Sequence, residues 1–144
     1  MACSSRSRVF FDTNVLFSGV YSESGTPKQL LDAAGLGQFQ AVVSRTVLEE
    51  LVRNLRKKAP GALPRLEKVF RRVSFDIVSD PPREEVERWS SADFGSDSRV
   101  VAAAVLAEVD YFCTGDRRLL EKASLMERAG LRVVAPGDLL ETLE

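Results

Sequence analysis

Arg8-Val9-Phe10-Phe11-Asp12-Thr13-Asn14 is the stretch from which the fold is read. Val9, Phe10 and Phe11 form an apolar run too short for a helix, and it stops at polar residues. Such a run predicts a short strand over residues 8–11, buried on both faces. A carboxylate directly after a strand of this kind sits where open α/β sheets bind ligands. Asp12 is therefore the first candidate site residue. Its alternative reading is a turn-forming or capping aspartate.

The same grammar recurs along the chain. Further strands are predicted over residues 40–43, 75–78, 111–114 and 131–134. Helices are predicted between them. One covers residues 27–34, with Thr26 as cap and Pro27 at the first helical position. Ser44 caps another that runs to about Lys58, where Ala59-Pro60-Gly61 stops it. Others cover residues 64–72, 82–89, 97–108, 116–123 and 137–143; the alanines at 102–104 suit close packing on a sheet. Alternation of this kind predicts an α/β fold, a mostly parallel sheet with helices on both faces. No internal repeat is visible, and 144 residues predict one domain over 1–144.

Composition narrows the chemistry. The chain has no histidine, which excludes Ser-His-Asp and Cys-His catalysis on this chain alone. Cys3 and Cys113 lie far apart and form no CxxC spacing, so neither a zinc site nor a redox pair is expected. Cys113 reads as a small core residue. The apolar stretch 100–107 is too short to span a bilayer, and no signal-peptide core follows the charged start, so a cytoplasmic location is expected. The net charge of −1 is neutral about partners, but its distribution is not. Arg53, Arg56, Lys57, Lys58, Arg65, Lys68, Arg71 and Arg72 lie in one segment against Glu67 alone. A basic segment beside an acidic pocket suits an enzyme that holds phosphates.

Three more acids stand at strand-to-helix passages or on a helix face. Glu50 borders the apolar face set by Leu48, Leu51, Val52 and Leu55; a solvated glutamate is the alternative. Asp97 opens the alanine-rich helix, where it could simply be a cap, and Asp93 competes with it. Asp116 follows Thr114-Gly115, with capping again the alternative, and Gly115 permits close approach of backbone or ligand. If the first and fourth strands are neighbours, Asp12 and Asp116 converge. Carboxylates gathered in one cleft repel each other unless a cation sits among them. Hard oxygen donors suit Mg2+ or Mn2+, which points to phosphodiester chemistry.

Together these residues resemble the PIN-domain family of metal-dependent ribonucleases, in particular the stand-alone VapC-like toxins of toxin–antitoxin pairs. Phe11-Asp12-Thr13-Asn14-Val15-Leu16 resembles the first family motif, and Ser44 through Leu51, with Glu50, the second. Asp97 with Val100, Val101 and Ala104 resembles the third, and Thr114-Gly115-Asp116 with Leu119-Leu120 the fourth. The resemblance implies a three-layer α/β/α sandwich on a sheet of about five strands. It implies Mg2+ or Mn2+ held by Asp12, Glu50, Asp97 and Asp116, with Asn14 and Thr114 in support. It implies endonucleolytic RNA cleavage leaving a 5′-phosphate and a 3′-hydroxyl, with Arg53, Arg56 and Lys57 as candidates for phosphate contacts. An antitoxin protein and a homodimer are the partners it implies. Two departures stand out. Arg118 occupies a position where many relatives carry another acid, and the third motif reads Gly95-Ser96-Asp97 rather than consecutive acids. Weaker metal affinity is the expected consequence. Two rivals remain: an aspartyl-phosphate phosphatase, disfavoured by Asn14 two residues after Asp12, and a PIN module that binds RNA or a protein without turnover.

Overall fold

The computed structural model describes residues 3–90 and 94–143. Asp93, the competitor to Asp97, lies outside them. The strands are β1 (Arg8–Phe11), β2 (Gln40–Ser44), β3 (Asp76–Val78), β4 (Tyr111–Cys113) and β5 (Arg132–Val134). They form one parallel sheet in the order β3-β2-β1-β4-β5. Around it run α1 (Thr13–Tyr21), α2 (Thr26–Gly35), α3 (Arg45–Lys58), α4 (Leu63–Arg72), α5 (Arg83–Ser90), α6 (Ser98–Leu106), α7 (Arg117–Glu121), α8 (Ala123–Arg128) and α9 (Pro136–Thr142).

Successive residues of a strand point to opposite faces. Val9, Phe10 and Phe11 are all fully buried, as are Val42, Val43, Phe112 and Cys113, so both faces of the central strands are covered. This is the layered α/β arrangement expected. Phe10 pairs with Phe112 across β1 and β4, and their rings stack 5.5 Å apart. Ala102, Ala103 and Ala104 are buried in α6, in keeping with their small side chains. Cys113 is buried in β4, and burial pushes its thiol up and out of reactive range. No helix among the described residues is long and apolar enough to cross a membrane.

Two helices go beyond the sequence expectation. The first, α1, begins directly after Asp12 and buries Val15, Leu16, Gly19 and Val20. Gly19 lies close against α2, where a Cβ would come within 2.6 Å of Leu31 Cδ1. The second is α8, which carries buried Met126. The capping of α2 also differs from expectation. Gly25 takes the cap position with φ of 107°, and Thr26 is the first helical residue. A left-handed turn is needed to enter α2, and glycine supplies it without strain. Ser44 does cap α3, accepting a hydrogen bond from Val47 N.

The strand order decides where a ligand can sit. From β1 the chain moves to β2 and β3 on one side, then returns to place β4 and β5 on the other. The reversal falls between β1 and β4, and a crevice opens beyond their carboxyl ends.

Candidate active site

Asp12 and Asp116 arrive at that crevice from its two walls. Asp12 N donates to Cys113 O at 3.0 Å, so the residue closing β1 is tied to the last residue of β4. The cleft there has a volume of about 460 Å³ and is lined by Asp12, Glu50, Asp97 and Asp116. Each comes from a different segment: the end of β1, the middle of α3, the start of α6 and the start of α7. Thr13, Asn14, Asn54, Lys58 and Arg118 also face it.

A small polar network binds the β1 and β4 ends together. The Thr114 hydroxyl donates to Asp12 Oδ2 at 2.9 Å and accepts from Asp116 N at 3.0 Å. Asn14 Nδ2 donates to the same Asp12 oxygen at 3.2 Å, and Asn14 Oδ1 accepts from Gly115 N at 2.9 Å. A Cβ on residue 115 would stand 3.2 Å from Asn14 Oδ1, so glycine there lets the two loops touch. Thr114 is fully buried, which locks its hydroxyl between the two aspartates.

Capping accounts for these acids unequally. Asp12 Oδ1 caps α1 through Thr13 N at 2.8 Å, while its Oδ2 is held by the polar network. Asp116 Oδ1 accepts from Arg118 N at 2.9 Å and caps α7. Asp97 occupies the cap position of α6 without a side-chain capping bond, so capping does not explain its carboxylate. Glu50 points into the cleft, whereas Glu49 turns away and pairs with Arg45 at 3.5 Å.

Electrostatics divide the cleft in two. Burial raises the Asp12 carboxyl above the ordinary range, and the charges of Asp97 and Glu50 add to the effect against hydrogen bonds from Thr114 and Thr13. Asp97 is raised too, first by burial and then by Asp116, with Arg118 and Lys122 opposing. Asp116 moves the other way, because the Arg118 side chain hydrogen-bonds to its carboxylate. Arg118 Nη2 lies 3.2 Å from Asp116 Oδ2, and Nε lies 3.5 Å from Oδ1.

The donor set suits a hard divalent cation. Thr13 Oγ1 is a second sign: it is buried on the cleft wall with no hydrogen-bond partner among the described residues. Among those residues no group of three or more acids and cysteines is already arranged to hold an ion. The carboxylate oxygens of Asp12 and Asp116 are instead engaged, by Thr13, Thr114 and Asn14 on the first and by Arg118 on the second.

The basic segment does not act as one unit. Arg53, Arg56 and Lys57 line a different hollow, with Leu48, Glu49 and Val52. The α3 residues that face the acids are Glu50, Asn54 and Lys58, spaced four apart on one side of the helix. That spacing is present in the sequence, but Asn54 and Lys58 belong to no motif that would mark them there as site residues. Lys58 also sits 6.0 Å from the centre of the Phe17 ring, a cation–π contact at the cleft edge. Arg65, Arg71 and Arg72 are paired with Glu23, Glu67 and Asp32.

A family model described as PIN domain matches residues 8–118. Among solved structures the chain is similar to VapBC2 from Rickettsia felis, crystallised bound to a DNA fragment from its promoter. The identity there is 12% and the TM-score 0.67, over 89% of this chain and 98% of that one. It is also similar to PAE2754 from Pyrobaculum aerophilum, at 19% identity and a TM-score of 0.56, over 88% of this chain and 90% of that one. At these identities the likeness speaks for the fold. No curated protein matches the chain. The family match begins at β1 and runs past all four acids of the cleft, and on it the chain belongs to the PIN-domain family.

Proposed function

We propose that this chain is a metal-dependent endoribonuclease and that Asp12, Glu50, Asp97 and Asp116 hold its Mg2+ or Mn2+. The observation that carries this reading is the meeting of four carboxylates, from four separate segments, in one cleft at the reversal of strand order. Bound there, a divalent cation supplies Lewis acidity toward a phosphoryl oxygen and lowers the pKa of water. The chain's own residues do the rest. Thr114 and Asn14 fix the orientation of Asp12, and Thr114 also holds the Asp116 backbone. Asn54 and Lys58 face the cleft from α3 and are placed to meet a phosphate beside the reacting one. Arg53, Arg56 and Lys57 lie on the adjoining face of the same helix, where they would contact backbone phosphates farther along the strand.

The likeness to VapBC2, a toxin–antitoxin complex by its name, supports a toxin role with an antitoxin partner. A homodimer and a cytoplasmic setting belong to the same proposal, as does a single domain over 1–144. The rival reading is a PIN module that binds RNA or a partner protein without turnover, and the ion pair of Arg118 with Asp116 favours it.

Cleavage of end-labelled single-stranded RNA decides between them. The assay compares Mg2+, Mn2+ and chelator, with wild type and Asp12→Asn. Metal-dependent cleavage lost in the variant is the expected result. No cleavage of several RNAs with either metal would overturn the nuclease and leave the binding module.

A further inference from the structure

The cleft's two halves differ in what already neutralises them. On one side, among the described residues, Asp12 meets only hydroxyl and amide donors, from Thr13, Asn14 and Thr114. On the other, Asp116 meets a guanidinium through both of its carboxylate oxygens, and Arg118 itself lines the cleft. A guanidinium is always charged, and its planar fork matches a carboxylate. Two-metal phosphodiesterase centres place their ions about 3.5–4 Å apart. Here a permanent positive charge stands 3.2 Å from an Asp116 oxygen and already neutralises the carboxylate that a second ion would need.

Resting on the nuclease reading above and narrowing its four ligands to three, we propose that Arg118 fills the cation position beside Asp116, so that the cleft takes one divalent cation, held by Asp12, Glu50 and Asp97, while Asp116 stays paired with Arg118. Arg118 is a positioning residue in this arrangement. It neutralises Asp116 and keeps a second ion out. The Arg118 side chain is 74% exposed, so it can be replaced without disturbing the core. The alternative is a solvated surface ion pair, a kind that often contributes nothing measurable. Such a pair would leave the number of bound ions unchanged when Arg118 is replaced.

Calorimetric titration of the full chain with MnCl2, without RNA, counts the ions. Wild type is expected to bind one Mn2+ per chain. Arg118→Lys keeps the charge and is expected to bind one as well. Arg118→Asp removes the charge, offers an oxygen ligand, and is expected to bind two, with circular dichroism verifying its fold. Two ions in wild type, or one in a folded Arg118→Asp, would overturn the proposal. Should Arg118→Asp misfold, Arg118→Ala serves instead, with a second and weaker ion expected and a single ion overturning the proposal. No Mn2+ bound by wild type would sink the nuclease reading itself, and this inference with it. That result is read before any variant is compared, so the two failures are distinct.

Discussion

Asp12 and Asp116 follow neighbouring strands, touch the same threonine hydroxyl through side chain and backbone, and yet ionise in opposite directions. Asp12 is buried against other acids and resists ionisation. Asp116 is held ionised by Arg118. Position in the sheet brings carboxylates together, but the neighbouring charges decide how each one behaves. A centre built this way has one side that calls for a cation and one side that already holds one.

Replacing Asp12 should have the largest effect. Asp12→Asn is expected to lower metal-dependent RNA cleavage by at least about 10³-fold, the equivalent of several kcal/mol of lost charge stabilisation. Single-turnover cleavage with Mn2+ measures it, and a loss below tenfold would mean that Asp12 does not hold the ion. Residues that only support Asp12 should follow. Thr114→Val and Asn14→Ala are each expected to cost roughly 10–100-fold in metal affinity or activity, as partners of a metal ligand do. Mn2+ titration of each variant tests this, and unchanged affinity in both would detach the polar network from the metal.

The contrast between the two aspartates also predicts a pH dependence. For Asp12 and Asp97 the folded value is raised, so the folded state favours their protonated form. Stability from these groups is full below the unfolded value and is lost as pH rises through the folded one. For Asp116 the folded value is lowered, so its contribution is present above the unfolded value and lost as pH falls through the folded one. A cation binds the ionised acids. Mn2+ should therefore raise the melting temperature little in the ordinary carboxylate range and progressively more above it. Thermal melts with and without Mn2+ across pH check this; a pH-independent rise would place the ion away from Asp12 and Asp97.

The smallest expected effects lie on α3. Lys58→Ala should lower cleavage even once RNA is saturating, whereas Arg56→Ala should weaken binding, with a salt slope smaller by about one unit, and leave saturated cleavage unchanged. Equal effects on saturated cleavage would mean that the two faces of α3 are not distinct in use.

Much of this fold is legible in the amino-acid sequence. The five strands stand out because each is a short apolar run bounded by turn residues, and β1, β2 and β4 are buried on both faces. Helix α1 is harder to see because the polar Asp12-Thr13-Asn14 motif masks its start. Val15, Leu16, Gly19 and Val20 nevertheless recur at helical spacing and are the residues it buries. The basic segment reads as one feature because sequence proximity does not reveal which side of a helix a residue occupies.

The sequence alone determined which residue types were available. The absence of histidine excluded Ser-His-Asp and Cys-His catalysis on this chain alone, and each candidate acid was marked by its place at the end of a strand, before a helix or beside a helix's apolar face. Only the tertiary structure decided that Asp12, Glu50, Asp97 and Asp116 share a cleft, because strand order is set by packing of the whole sheet and not by local pattern. It also decided that Asn54 and Lys58, rather than Arg53, Arg56 and Lys57, face those acids, and that Arg118 closes on Asp116. The physical reason is the same in each case. Side-chain chemistry is written residue by residue, whereas the field around a side chain is the sum over everything the fold brings near it.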